Sequence, residues 1–362
     1  MKRFIERSFL FLFPFFLAIF FELFIWPIDR FTFRAWEALV VRKYRNLLPG
    51  PFYPNMKLRK VEEGDLAHHT PFAIKKPVQW VTDRYGFRKQ DRPTERHPIV
   101  IIGESNIAGA GLSQEEMLSE VLESSLGVSV YPYAPVGINS FLREKRFKEN
   151  PPRIILFAKV ERELVELPSL KQKKESPWLS PLKEKVKLQP IIQRIFIYLD
   201  RISKWNMLHY VRASLRRSFT KTHQNSPGGV ETPYGRLFFI QGVKMNRSIP
   251  EEAFRQAVDR IKSYHQALHQ RGIRLILLPI PEKENILHEA LGIPRPTFLE
   301  RFILELRSQG VETIDTQRAF EEAYRTQHLL LYHPDDTHWN ADGVKVAAEL
   351  VKKWIEQEGR IH

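Results

Sequence analysis

The chain has 362 residues, 56 Lys+Arg against 42 Asp+Glu, and no cysteine. That length suits one large domain or two small ones, and the missing thiol excludes disulfides, thiolate nucleophiles and Cys-ligated zinc. The net charge of +14 is unevenly spread, because between Glu166 and Arg217 twelve Lys/Arg face four Asp/Glu. Such a bias suits an anionic partner such as a membrane surface, an acidic polysaccharide or nucleic acid, or else the solvated face of an inserted helical segment.

Residues 9–28, "FLFLFPFFLAIFFELFIWPI", carry Glu22 as their only charge, and a helix of twenty residues spans about 30 Å. The run ends in bulky Ile25-Trp26-Pro27 without a small-residue cleavage site, so residues 1–30 are expected to be a retained transmembrane anchor. Lys2, Arg3 and Arg7 precede it and Arg30, Arg34, Arg42, Lys43 and Arg45 follow. By flanking charge alone the body lies on the cytoplasmic side.

Residues 31–97 are proline-punctuated and read as linker and lead-in, with "LLPGPFYP" extended and "TDRYGFRK" a turn. From Pro98 the idiom changes. "PIVIIG" is a buried-strand run, "SQEEMLSEVLESSLG" a helix with Ser113 and Glu116 as capping box and Gly127 as C-cap, and "VSVYPYA" the next strand. "PRIILFAKV" continues as a strand. A helix over 251–272, a strand "IRLILLPI", a helix ending at Gly310, a strand "VETIDT" and a closing helix over 340–357 follow. This alternation predicts an α/β fold: a three-layer parallel sheet with helices on both faces and ligands at the C-terminal strand ends. Residues 165–245 interrupt it as a basic helical insertion, expected over the sheet edge or against a membrane. The aromatics of 189–210 are spaced for packing, unlike the exposed stacking platforms of a nucleic-acid binder.

Ser105, in "VIIGESNIAGAGL", follows a buried strand and precedes a helix, where a side chain can protrude at the sheet edge. Ile107 stands where G-x-S-x-G requires glycine, and neither a P-loop nor a dinucleotide fingerprint is present. A serine hydroxyl needs a base. "LLLYHPDDTHWNADG", residues 329–343, offers His338 with Asp335 and Asp336 close by, and an imidazole oriented by a carboxylate is the partner such a serine requires. A metal site from His333, Asp335, Asp336 and His338 is a second reading of the same residues, but no further ligand pair stands at helical spacing. No cofactor motif is present.

"TDRYGFR", "IVIIGESNIAGAGLSQEEMLSEVLESSLGVSVYPYAPVG", "PRIILFAKVEREL", "GIRLILLPIPEKENIL", "GVETIDT" and "LLLYHPDDTHWNADGVKVAA" follow in order and together resemble the SGNH/GDSL hydrolase superfamily. "PIPEK" and "DTHWN" are similar to its alginate O-acetyltransferase group. The resemblance implies Ser105 as nucleophile, His338 as base and Asp336 as acid, with Asp335 the acid if the D-x-x-H spacing applies. It implies an oxyanion hole of the Ser105 and Gly137 amides, with Asn106 or Arg162 as a third donor. Glu104 replaces the usual Asp before the serine. Glu161-Arg162 stand where an Asn is usual, and the serine precedes the D-x-H pair, as in SGNH esterases and unlike the alginate enzymes. By the resemblance, this is a membrane-anchored serine O-acyltransferase or esterase working on acetyl groups of exported polysaccharide, outside the cytoplasmic membrane. Its expected partners are an acyl donor, a carbohydrate acceptor and a multi-spanning membrane-bound O-acyltransferase, with no cofactor. The alternative is a catalytically inactive SGNH-like domain that binds glycan or scaffolds a modification complex.

Overall fold

The computed structural model describes residues 1–68, 70–90, 96–170, 185–219, 229–240 and 249–357. An apolar helix, α1 (Lys2–Phe20), leads the chain and runs on as a wider turn over Phe21–Ile25. Lys2–Ile25 is long and apolar enough to cross a membrane, and no residue of α1 is buried.

The expected linker at 31–97 is folded instead. Strands β1 (Lys57–Glu62) and β2 (Lys76–Val81) pair as an antiparallel hairpin, Leu58 opposite Trp80. Leu39, Val41, Phe52, Tyr53 and Trp80 from this region are fully or almost fully buried in the main core. Its period-2 signal is hidden because β1 turns Glu62 inward, where the carboxylate accepts from the Ala35 amide at 2.5 Å, and leaves Val61 exposed.

The central sheet is parallel throughout. Its strands are β3 (Ile99–Ile102), β4 (Val130–Tyr133), β5 (Ile154–Val160), β8 (Arg274–Ile280) and β9 (Glu312–Thr313), in the order β4-β3-β5-β8-β9. Ile99 lies beside Val130 on one flank and Ile154 on the other. The interposed pair β6 (Gly229–Thr232) and β7 (Gly235–Phe238) forms a separate antiparallel hairpin.

Alternate side chains of the sheet feed two cores. Ile99, Ile101, Leu156, Ala158, Ile276 and Leu278 meet α2 (Leu118–Leu126), α7 (Thr316–Gln327) and α8 (Ala341–Gln357) on one face. Val100, Ile102, Ile155, Phe157, Leu275 and Leu277 meet α5 (Glu251–His269) and α6 (Phe298–Ser308) on the other. The strand order reverses between β3 and β5, and the crevice outside such a reversal is where α/β sheets bind ligands.

Local differences have local causes. The helix expected over 113–127 is split: the Ser113–Glu116 capping box opens a single 3-10 turn, and the α-helix restarts only after Met117, whose side chain is fully buried. Gln114 is held out of helical continuity because its side chain accepts from the Val81 amide at 3.2 Å. Within the expected insertion, α3 (Pro190–Lys204) and α4 (Asn206–Phe219) are helical as anticipated. The portions at 171–184, 220–228 and 241–248 lie outside the described residues. Phe196 is partly buried against the core, but Tyr198, Trp205 and Tyr210 are exposed, contrary to the packing expected of the aromatics there.

Candidate active site

After Ile102 the chain turns through a short helical loop in which the Ile107 and Ala108 amides bond back to Glu104 O at 3.1 and 2.9 Å and Ala110 to Ser105 O at 3.0 Å. The Ser105 and Asn106 N–H groups head that turn, where a helical ladder has no acceptor for them. Gly109 and Gly111 adopt left-handed φ angles of 73° and 76°, and a Cβ on Gly109 would lie 2.6 Å from the Arg88 guanidinium. Arg88, fully buried, explains that approach. It donates to the carbonyls of Ala108 at 3.2 Å, Leu112 at 2.6 Å, Gln79 at 3.0 Å and Gly109, and stacks 3.9 Å from the Trp80 ring centroid.

His338 reaches this loop from over two hundred residues away. Its Nε2 lies 2.8 Å from Ser105 Oγ and its Nδ1 2.5 Å from Asp336 Oδ1. With the proton on Nδ1 facing the carboxylate, Nε2 is free to accept from the serine hydroxyl. Burial pushes the Asp336 carboxyl up, but the His338 charge and hydrogen bond, a contact with Asp65 and the Lys76 ammonium together hold it well below the ordinary carboxylate range.

Asp335 faces elsewhere. Its carboxylate accepts from the Gly64 and Ile74 amides, both at 2.8 Å, and pairs with Lys76 at 3.3 Å. A Cβ on Gly64 would lie 2.2 Å from Asp335 O, so only glycine permits this approach.

Each residue of "DTHWN" has a distinct task. Thr337 donates its amide and hydroxyl to Asp65, each at 3.2 Å. Trp339, buried, donates its amide to Asn106 Oδ1 at 3.2 Å, joining the two loops a second time. Asn340 Oδ1 accepts from the Asp342 and Gly343 amides at 3.0 and 2.9 Å, capping α8.

"PIPEK" is explained by contact with the same loop. The Lys283 ammonium, 2% exposed, donates to the carbonyls of His333 at 2.7 Å, Phe238 and Pro334 at 2.9 Å and Asp336 at 3.2 Å, and burial lowers its pKa to about 8. The β6–β7 hairpin also ends here, with the Phe238 amide on Pro334 O at 2.9 Å.

The other expected residues divide. Asn106 is buried, and its side-chain oxygen accepts from the Trp339 amide. Arg162 is tied to both oxygens of Glu282 at 2.8 and 2.7 Å, so its guanidinium is committed to the "PIPEK" turn. Glu104 pairs with Lys159 at 2.5 Å. Gly137 lies exposed on the loop after β4, at the head of the short helix Ile138–Phe141 on the same edge of the sheet. His333 is near the site but its Nε2 is buried without a partner.

Sequence reasoning missed Asp65, on the loop between β1 and β2. Its amide donates to Asp336 Oδ2 at 3.3 Å and its own carboxyl lies 3.9 Å from His338 Nδ1. Burial, then the adjacent Asp336 charge, pushes the Asp65 pKa up, while His338 and Arg34 oppose the rise. Asp65, Asp336 and His338 also present ligand atoms within 4.8 Å of one another. Lys76 at 3.8 Å from Asp336 and Arg34 at 3.6 Å from Asp65 already supply these carboxylates with positive charge.

A family likeness lies in the C-terminal third of the chain. Residues 235–362 match the family described as SGNH hydrolase-like domain, acetyltransferase AlgX, a match that includes Asp336 and His338 but not Ser105. Over those residues the chain is SGNH hydrolase-like, and they supply β7, β8 and β9 with the helices between and after them. A probable alginate O-acetylase AlgJ of Pseudomonas aeruginosa is 26% identical over 147 residues, 38% of this chain and 36% of that protein. The protein of the same description from Pseudomonas putida is 26% identical over 117 residues, 31% of this chain and 30% of the relative. The aligned stretch therefore spans about a third of the length of these curated relatives. A solved structure aligns with 74% of this chain and 99% of its own at 12% identity and a TM-score of 0.33, too loose a likeness to bear on the site.

Proposed function

We propose that this chain is a membrane-anchored SGNH-type serine O-acyltransferase or esterase that works on acetyl groups of exported polysaccharide. The observation that carries the reading is the continuous line from Ser105 Oγ through His338 to Asp336, with contacts of 2.8 and 2.5 Å. Its chemistry follows from that line. His338 Nε2 takes the Ser105 proton as Oγ attacks an acyl carbonyl, and Asp336 stabilises the imidazolium that results. The amides at the head of the Ser105 turn face the developing oxyanion, with the Gly137 amide closing the hole from the neighbouring strand end. Imidazolium then returns its proton to the leaving alkoxide, leaving acyl-Ser105. A sugar hydroxyl or water, deprotonated by His338, attacks that ester and frees the serine.

The likeness to probable alginate O-acetylases supports polysaccharide as the acceptor, and a body that meets exported polysaccharide lies outside the membrane, with the N-terminus cytoplasmic. The flanking charge opposes this orientation by only two residues, and a long translocated domain is not reliably retained by flanking charge. The acyl donor then arrives through the membrane, which suits delivery by a multi-spanning acyltransferase.

Incubation of the full chain with an activated acetyl ester, followed by peptide mass mapping, tests the mechanism. Acetyl on the peptide containing Ser105, absent in Ser105→Ala and in His338→Ala, is the expected result. Turnover without acetyl-Ser105 rejects the acyl-serine route, and labelling of Ser105 that survives His338→Ala rejects His338 as its base.

A further inference from the structure

Helix α3 buries polar residues and leaves an apolar stripe exposed. A helix on a water-soluble body buries its apolar stripe and exposes its polar one. In α3 the buried residues are Gln193, Asp200 and Lys204, 4%, 0% and 2% exposed, with Phe196 and Ile197 partly buried beside them, whereas Ile191, Ile195 and Leu199 are 73%, 49% and 39% exposed. The inward residues are fully engaged. Asp200 accepts from the Lys43 amide at 2.7 Å, the Tyr44 amide at 3.2 Å and the Tyr53 hydroxyl at 2.8 Å, and Lys204 donates to the Ala38 carbonyl at 3.1 Å. The orientation is thus fixed by buried polar bonds that only this face can make.

The outward stripe continues. Leu208, Val211 and Leu215 of α4, spaced three and four residues apart, are all exposed. Both helices join the end of the N-terminal apolar helix. Arg201 donates to the Glu22 and Leu23 carbonyls at 2.6 and 3.1 Å, the Glu22 carboxylate lies close to the Asn206 and Met207 amides at the head of α4, and the Phe24 ring meets Tyr198 at 5.7 Å. Phe31 meets Tyr210 at 5.5 Å. A lone acid in an apolar run is thereby accounted for, as the cap of the helix that turns away from it.

We propose that α3 and α4 form an interfacial platform that lies in the headgroup region of a phospholipid bilayer, where the apolar N-terminal helix meets the folded body. This rests on the anchoring reading above. An apolar stripe of this extent is unfavourable in water and continuous with a helix that is itself exposed along its length, so lipid is the occupant that covers both. Arg194 and Arg212, exposed beside the stripe, suit anionic headgroups. With α3 bonded to the chain at 42–44 and 53, the platform would fix the tilt of the sheet, and hence of the Ser105 edge, relative to the membrane.

Because the chain has no cysteine, the single variants Phe11→Cys, Ile195→Cys, Leu208→Cys and Lys345→Cys each carry one environment-sensitive fluorophore. The full-length protein is reconstituted in phosphatidylcholine vesicles containing phosphatidylglycerol, with nitroxide lipids as quenchers. Labels at 195 and 208 should emit at shorter wavelength and be quenched most by a nitroxide near the headgroups, since interfacial helices sit about 5–10 Å deep. The label at 11 should be quenched most by a nitroxide deep in the acyl chains, and the label at exposed Lys345 by neither. Quenching at 11 but at neither 195 nor 208 overturns the platform and leaves the anchor standing. Absence of quenching at 11 overturns both. A wavelength shift at 208 that requires added polyuronate instead of lipid assigns the stripe to a glycan and also overturns the proposal.

Discussion

The loop that carries Ser105 and the loop that carries His338 are each held by a buried cation bonded to backbone carbonyls, but the cations come from unlike places. Arg88, which grips the Ser105 loop, follows β2 in the region that reads as lead-in. Lys283, which grips the His338 loop, follows β8 of the central sheet. The Ser105 loop also bonds to itself, closing a helical turn within six residues. The His338 loop makes fewer internal backbone bonds and is braced from outside by Gly64, Asp65, Ile74 and Lys76. The proposed nucleophile can therefore be placed by local sequence, whereas its proposed base is placed by three distant segments converging on one loop.

The sharpest test of that contrast separates the two neighbouring carboxylates. Asp336→Asn should lower kcat by about 10⁴, because the amide stabilises the wrong imidazole tautomer and cannot stabilise the imidazolium. Asp335→Asn removes charged hydrogen bonds from the brace, a loss of about 1.5–3 kcal/mol for each bond to a charged group, so its main effect should be a lower Tm with kcat reduced far less. Thermal melts and steady-state rates on both variants decide it. Equal kcat losses with equal melting points would mean that the two acids share one task.

This division explains what could be read from residues alone. Ser105, His338 and Asp336 stand in stretches whose neighbours have single, recognisable tasks, such as the Asn340 cap and the Trp339 core contact. The central strands were legible because both faces are buried and the apolar runs are continuous. Asp65 gave no signal, since its bond partners are 271 and 272 positions away and an acid in a polar run between two short strands looks like solvated surface. The β1–β2 hairpin was obscured by an inward Glu62 and an outward Val61. In α3 the period was plain but its direction was not, because amphipathicity does not say which side faces protein.

A second test breaks each grip in turn. Arg88→Met and Lys283→Met each remove the cation from four carbonyls, of which Gly109, His333 and Pro334 keep a backbone donor, and an unsatisfied buried acceptor among the rest costs about 1–3 kcal/mol, so both variants should melt earlier than the parent. Their hydrogen-exchange patterns should differ. Arg88→Met should speed exchange at the amides of 107–112 while sparing 336–340, and Lys283→Met should do the reverse. Where the His338 loop shifts by about 1 Å, kcat should fall on the order of 10²-fold, as for other misplaced catalytic groups. Loss of protection at both loops in both variants would show one cooperative unit instead of two separately held parts.

The smallest effect concerns pH and the outer side of the His338 loop. His333 has its Nε2 buried without a partner, and burial, then the Lys76 charge, lowers its pKa from 6.5 to about 4. Asp335 and Asp336 oppose that shift and His338 adds to it. Between those two values the unfolded chain binds a proton that the folded chain does not, so the stability associated with neutral His333 is complete above pH 6.5 and is lost as pH falls toward 4. One proton limits the slope to about 1.4 kcal/mol per pH unit. Carboxylates contribute acid sensitivity of their own, so the measurement is the difference between the parent chain and His333→Phe, which keeps a ring in the same space without a titratable nitrogen. The Tm advantage of the parent over His333→Phe should shrink steadily from pH 7 to pH 4, or an existing disadvantage should deepen. A constant difference across that range would mean that His333 takes up its proton in the folded state at an ordinary pH, and that the loop around it is open to water.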